Sequence, residues 1–395
     1  MATSTATALL LLLAFLALKT DGYGRSLGTR TLNVNSPRRL VRKSQLNKVL
    51  EIELQKLHQN WSSFRNNLSL NDFQRFPEKR KLGRGSFGEV EYVEGFDDRG
   101  RRRAYALKVF DRLKILRFGR GGVTNCVRDI KTLLMIGKES PFLNSMDTFF
   151  WDSKYVYIVL RFANGGSLYG LLQAIFQQND RQWGFAEDIA RQFAAEIIMG
   201  LEYLHSRSLI YRDVKPGNLL INNRGHLQIG DFGMTKFLGP GEKARNIAGT
   251  YPYVPPEAFA GLGYDRRMDW YGLGVVIFQM LFGRFPYMAR SKRSLARLIV
   301  RGNYRFPAHV NVSVEAKSIV ESLLVKDPSR RLGTNGAAEV KSHPWFGAHS
   351  GLEPIQWNSL LKTPMRYRPY AMIDGRIVFR DWVEAGNFVE VSNKT

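Results

Sequence analysis

Cysteine is almost absent from this sequence: Cys126 is the single one in 395 residues. No intramolecular disulfide can form, and so low a count ordinarily indicates a reducing compartment. Histidine numbers only six, and no Cys/His cluster has the spacing of a metal site. Acidic residues are short as well, 35 against 58 lysines and arginines, for a formal net charge of +23. The apolar run at 8–18, ALLLLLAFLAL, is too short to span a bilayer. No internal repeat and no long low-complexity tract is present.

What is there begins with that run. Its length fits a signal-peptide core, and Thr20-Asp21-Gly22 follow it, although the residues before it carry no lysine or arginine. Residues 1–22 are therefore expected to be a leader for the secretory pathway. An organellar transit peptide or a retained leader on a cytoplasmic protein is the alternative. Asn60, Asn67, Asn311 and Asn393 begin glycosylation sequons. Residues 23–75 divide into a linker rich in Ser, Asn, Arg and Gly and a stretch with Leu46, Leu50, Leu54 and Leu57 at helical spacing. That spacing predicts an amphipathic helix packed on the domain or on a partner.

Basic charge is locally concentrated. Arg99, Arg101, Arg102 and Arg103 lie before the strand predicted around Lys108, and Arg112, Lys114, Arg117 and Arg120 lie after it. They form either a solvated basic face or a docking surface for acidic protein, a polyanion or a membrane. No nucleic-acid module accompanies them, so nucleic acid is not the expected partner. A hydrophobic fraction of 44% suits a packed globule, and Ile189, Phe193, Ile197, Leu201 and Leu204 form a helical core stripe.

The most informative stretch is 209–233, LIYRDVKPGNLLINNRGHLQIGDFG. Its LLINN and GHLQIGD halves read as a hairpin. Upstream, Leu82-Gly83-Arg84-Gly85-Ser86-Phe87-Gly88-Glu89-Val90 is a G-x-G-x-x-G-x-V loop, and Ala106-Leu107-Lys108-Val109 is an A-x-K strand. Downstream stand GTYPYVPPE at 249–257, Asp269-Trp270, and Arg331 in DPSRRLG. Together these closely resemble protein kinases over residues 76–346. Tyr211, the HPWF at 343–346 and the tail IQWNSLL resemble the AGC group in particular, with residues 347–395 as its C-terminal tail.

The resemblance implies an α+β, two-lobed fold and an ATP- and Mg2+-dependent serine/threonine protein kinase. It assigns Asp213 to the substrate hydroxyl, Lys215 to the transferring phosphoryl group, and Asn218 and Asp231 to magnesium. ATP would lie against Leu82, Gly83, Gly85, Ser86, Phe87, Gly88, Val90, Ala106, Lys108, Leu160, Arg161 and Ala163. Arg331 would pair with Glu257. Any metal would enter with the nucleotide, and the partner would be a protein substrate carrying serine or threonine.

Three departures qualify the resemblance. The lysine's partner on the following helix is a glutamate in active kinases, and here Asp129, one methylene shorter, falls among Val127, Ile130, Leu133 and Leu134. The activating phosphothreonine position holds Asn246, which predicts activity without activation-loop phosphorylation, or a loop ordered by a partner or by an anion near Arg212 and Lys236. The acids by which AGC kinases read substrate arginines are replaced by Ser167, Gly217 and Gln279, with Arg161 at the hinge, which predicts neutral or acidic substrate surroundings. A pseudokinase scaffold, and a kinase for glycans or small molecules, are the competing readings.

Overall fold

The computed structural model describes residues 37–60, 68–76, 81–84, 88–178, 184–362, 369–373 and 376–379. The expected leader, the linker as far as residue 36, Asn67 and Asn393, and Gly85, Ser86 and Phe87 lie outside the described residues.

Helix α1 (Pro37–Asn60) precedes an antiparallel sheet of six strands. These are β1 (Gln74–Arg75), β2 (Lys81–Arg84), β3 (Gly88–Phe96), β4 (Arg102–Asp111), β5 (Met146–Trp151) and β6 (Tyr155–Arg161). Their spatial order is β1-β3-β4-β6-β5, with β2 also paired to β3. The register sets Val90 opposite Lys108 and Ala106 opposite Leu160. Gly88 begins β3 where the backbones approach so closely that a Cβ would lie 1.6 Å from the Val109 carbonyl oxygen. Only glycine fits there.

Between β4 and β5 the chain forms α2 (Arg112–Arg117) and α3 (Gly119–Ile136). The Asp111 carboxylate caps α2 by accepting the Lys114 N–H at 3.1 Å. Helix α3 buries Val127, Ile130, Leu133 and Leu134 together with Cys126, whose thiol is pushed well up by burial.

Helix α1 packs on α2 and α3, with Leu50, Leu54 and Leu57 buried and Leu46 partly so. Its polar side is tied to the same lobe. The buried Arg112 guanidinium donates to Asn47 Oδ1 at 2.8 Å, Glu51 Oε2 at 2.7 Å and the Asp152 carbonyl at 2.6 Å. Glu51 also accepts the Trp151 indole N–H at 2.5 Å, and Lys131 on α3 pairs with Glu53 at 3.4 Å. Among these partners the carboxylate that compensates the buried Arg112 charge is Glu51, on α1.

The second lobe is helical. It comprises α4 (Leu168–Gln178), α5 (Glu187–Ser206), α6 (Pro256–Phe259), α7 (Arg267–Phe282), α8 (Lys292–Arg301), α9 (Val314–Leu323) and α10 (Ala337–Lys341). Two short strand pairs serve the site: β7 (Leu209–Ile210) with β10 (Lys236–Phe237), and β8 (Leu219–Ile221) with β9 (Leu227–Ile229). Helix α7 is apolar nearly all round and buried from Met268 to Phe282, as a central helix must be. The stripe from Ile189 to Leu204 on α5 is buried as its spacing predicts. Arg331 and Glu257 form a buried bidentate pair, 2.8 Å at each contact. The α+β, two-lobed fold is the one expected.

The tail first follows the helical lobe: the Ile355 N–H donates to the Phe346 carbonyl at 2.8 Å, and the buried Leu360 accepts Gln192 Nε2 at 3.3 Å through its carbonyl. Strands β11 (Pro369–Ile373) and β12 (Arg376–Phe379) then form a hairpin.

The arginines before Lys108 do not form an uncompensated face. Arg101 and Arg103 share Asp97, and Arg102 pairs with Glu94 at 2.6 Å. These are exposed pairs of small energy, yet they cancel much of the local charge.

The packing of α1 is tested by Leu54→Ala, expected to cost about 2–5 kcal/mol. Urea denaturation should show one cooperative transition at a lower midpoint. An unchanged midpoint would mean that α1 undocks independently of the fold.

Candidate active site

Residues 209–233 form a loop framed by the β7–β10 pair and the β8–β9 hairpin, in which Leu219 faces Ile229. The chain turns at two non-glycine residues in left-handed backbone, Arg212 at φ 72° and Asp231 at φ 50°. Such conformations cost of order 1–3 kcal/mol and persist where the surroundings enforce them. For Arg212 the enforcing group is Asp269 on α7. Its buried carboxylate accepts the Arg212 N–H at 2.7 Å and the Tyr211 N–H at 2.9 Å, and lies 2.8 Å from His205 Nε2. The Tyr211 hydroxyl donates to the Gly230 carbonyl, next to Asp231.

Asp213, held by this turn, lies at the centre of a polar cluster and is buried. Its Oδ1 accepts the Thr250 N–H at 3.0 Å and the Thr250 hydroxyl at 2.8 Å. Its Oδ2 accepts Asn218 Nδ2 at 2.8 Å and lies 2.7 Å from Lys215 Nζ. Lys215 also donates to Thr250 Oγ1 at 2.9 Å. The segment carrying Thr250 is seated by Gly249, at φ 98°, where a Cβ would come within 2.4 Å of the Arg212 carbonyl oxygen.

Lys108 reaches across from β4. Its ammonium lies 2.7 Å from Asp129 Oδ2 on α3 and 2.8 Å from Asp231 Oδ1. Burial alone would lower the lysine pKa, but the two carboxylates outweigh it and hold the ammonium firmly protonated. Burial pushes the Asp129 carboxyl up against the pull of Lys108. Lys108 holds Asp231 below the usual carboxylate range.

The described residues expected at the nucleotide lie on the sheet that carries Lys108 or on the connection that follows it. Val90, Ala106 and Leu160 lie on adjacent strands beside Lys108, Leu82 and Gly83 lie on β2, and Arg161 ends β6. Arg161 and Ala163 follow into the connection between lobes, where the Arg161 N–H donates to the Ser145 carbonyl at 3.0 Å.

Among the described residues, no group of three or more His, Cys, Asp and Glu could hold a metal alone. Asp231 and Asn218 nevertheless suit magnesium. Asp231 offers a half-exposed carboxylate, and the Asn218 amide directs its N–H groups at Asp213, leaving the carbonyl oxygen for a cation. A pair of hard oxygen donors fits an ion that takes its remaining ligands from phosphate and water.

The three departures have concrete surroundings. Asn246 contributes its backbone: Tyr264 donates its hydroxyl to the Asn246 carbonyl at 2.7 Å and accepts Arg212 Nη1 at 3.2 Å. Arg212 Nε donates to the Met234 carbonyl at 2.6 Å. Gln279 accepts the Tyr253 hydroxyl at 2.6 Å, Ser167 caps α4 through the Gly170 N–H at 3.2 Å, and a Cβ on Gly217 would meet nothing within 4 Å. Sequence reading missed the tether through Tyr264 and the hub role of Asp269, because Tyr264 and Asp269 each reach Arg212 from more than fifty positions away.

A family model described as protein kinase domain matches residues 76–346. Over 291 residues the chain is 35% identical to the cAMP-dependent protein kinase catalytic subunit of Arthrobotrys oligospora, covering 73% of this chain and 51% of that one. Over 282 residues it is 37% identical to RAC-beta serine/threonine-protein kinase A of Xenopus laevis, covering 71% and 54%. Over 295 residues it is 33% identical to cAMP-dependent protein kinase type 3 of Saccharomyces cerevisiae, covering 74% and 67%. The chain thus spans about half the length of the first two.

Asp129→Asn should lower the unfolding free energy by about 1–3 kcal/mol, since it removes one of two charges facing a buried ammonium. Chemical denaturation at neutral pH reads this directly, and no change would mean that Asp231 alone satisfies Lys108.

Proposed function

This chain belongs to the protein kinase family, and from that premise we propose that it transfers the γ-phosphoryl group of ATP to serine and threonine hydroxyls of proteins. The observation that carries the reading is the Lys108 ammonium joining Asp129 and Asp231. It ties sheet, helix α3 and the loop after β9 into one arrangement facing Asp213. When bound, magnesium and ATP supply the phosphoryl group and the cation that screens its oxygens.

The protein's own groups account for the rest. Lys108 is fixed as a cation for the nucleotide phosphates. Asp231 and Asn218 present oxygens to magnesium. The Asp213 carboxylate, oriented by Asn218 and Thr250, accepts the hydrogen bond and then the proton of the substrate hydroxyl. Lys215, between Asp213 and Thr250, places positive charge where the transferring group would gain negative charge. Catalysis is then mostly positioning and charge.

We propose further that the kinase works without activation-loop phosphate. Hydrogen bonds from the Arg212 guanidinium to the uncharged acceptors of Met234 and Tyr264 already tether it to the loop. Neither nearby threonine is suited to carry the phosphate: Thr235 is fully buried, and the Thr250 hydroxyl donates to Asp213. On the other side of the site, α1 packs on α3 and supports the helix that carries Asp129.

The substrate reading follows from the neutral side chains at Ser167, Gly217 and Gln279. With no carboxylate at these positions, arginines before the target residue gain nothing, and neutral or acidic surroundings are preferred.

The direct test is phosphoryl transfer to a degenerate Ser/Thr peptide library by wild type and Asp213→Asn, each with its fold checked by circular dichroism. The substitution should lower kcat by about 10²–10⁴, and phosphatase-treated wild type should keep its rate. Retention of ATP without transfer by the wild type would favour a scaffold or a non-protein substrate. A rate lost with removal of stoichiometric phosphate from Thr235 or Thr250 would overturn the activation proposal.

Gly217→Glu puts a carboxylate into open space beside the cleft. Selectivity for peptides with arginine two or three residues before the target should rise about tenfold, the effect of roughly 1.4 kcal/mol. A wild type already selecting such arginines would contradict the substrate reading.

A further inference from the structure

Between Asp269 and Glu315 the chain has no acidic residue. Within that interval Arg284, Arg290, Lys292, Arg293, Arg297 and Arg301 are all exposed. Four of them stand on α8, whose apolar side, Leu295, Leu298 and Ile299, packs down onto the domain core. The outward side is therefore a row of cations. Among the described residues none of these six makes an ion pair, in contrast to Arg101, Arg102 and Arg103 on the sheet.

The arrangement also opposes the helix dipole. Ser291 caps α8 by accepting the Ser294 N–H at 3.1 Å, but the first turn contains no acid and begins with Lys292 and Arg293. Cations at the positive end of a helix are unfavourable. Among the described residues no carboxylate pairs with these cations, so the row projects positive potential outward.

Its position says what that potential serves. Helix α8 packs on α6 and on the turn Tyr251–Tyr253. Lys292 Nζ lies 5.2 Å from the centroid of the Tyr251 ring, and the neighbouring Thr250 hydroxyl is bonded to Asp213 at 2.8 Å. The basic row thus starts beside the segment that touches the residue proposed to take the substrate's proton. Ten helical residues extend about 15 Å, which about five residues of extended peptide would cover.

We propose that the exposed face of α8 is a docking surface for an acidic segment of the protein being phosphorylated, near its target serine or threonine. This rests on the kinase reading and adds the surface that recognises the substrate. The proximity to Tyr251 favours a peptide over a membrane or nucleic acid, neither of which needs to approach Asp213.

The test uses the full chain and two fluorescein-labelled peptides around one serine, one with a flanking block of five Asp/Glu and one with alanines instead. Fluorescence anisotropy should show the acidic peptide binding about tenfold more tightly at 0.1 M salt, with the advantage lost near 1 M. The double variant Arg293→Glu/Arg297→Glu should abolish the difference, and Arg117→Glu, an exposed charge change on α2, should keep it. In the transfer assay, KM for the acidic peptide should rise in the double variant to that of the alanine peptide. Equal binding of the two peptides by wild type, or a difference that survives the double variant, overturns the proposal. So does binding of anionic vesicles or single-stranded oligonucleotide that depends on Arg293 and Arg297 while the acidic peptide does not bind. Loss of all transfer with the α8-dependent binding difference intact would sink the kinase reading and leave the docking surface standing.

Discussion

The catalytic loop depends on a backbone that a side-chain-bearing residue resists. Arg212 turns in the left-handed region, and the chain reaches Asp213 only by passing through it. The Asp269 carboxylate makes that turn tenable by accepting two successive backbone N–H groups from a helix buried along most of its length. Burying a carboxylate is itself unfavourable, and three hydrogen-bonding neighbours are what make it acceptable. The position of Asp213 is therefore set by the core of the helical lobe rather than by the loop's own sequence.

The other half of the site is set from the sheet side. Lys108 fixes the distance between β4 and α3 through a carboxylate one methylene shorter than glutamate, so α3 must lie close enough for a 2.7 Å contact. Helix α1 contributes to that closeness from behind, through leucines and through the Arg112 cluster that joins α1, α2 and the turn after β5. Both lobes thus constrain the same few charged atoms from opposite directions.

Much of this was legible in local patterns. The β8–β9 hairpin, the apolar stripe of α5 and the pairing of Arg331 with Glu257 follow from spacing and from family resemblance, and the structure has all three. The leucine spacing in the segment before the domain likewise corresponds to a helix with its leucines inward. What local pattern could not convey is compensation over distance. The arginines near Lys108 read as a basic face because Glu94 and Asp97 look like ordinary turn and strand acids until the strands are paired. The reverse holds at α8, where a run with unremarkable helical spacing is the one that keeps its charge. Asp269 and Tyr264 act across more than fifty residues, and no periodicity records such contacts.

The solitary cysteine has a practical corollary. Cys126 is wholly enclosed on α3, and burial keeps its thiol from ionising, whereas alkylating reagents attack the thiolate. The folded chain is in effect blank toward thiol chemistry. A cysteine introduced at an exposed position would be the sole point of attachment for a fluorophore or spin label. Distances between lobes could then be followed in solution with the native residue left in place.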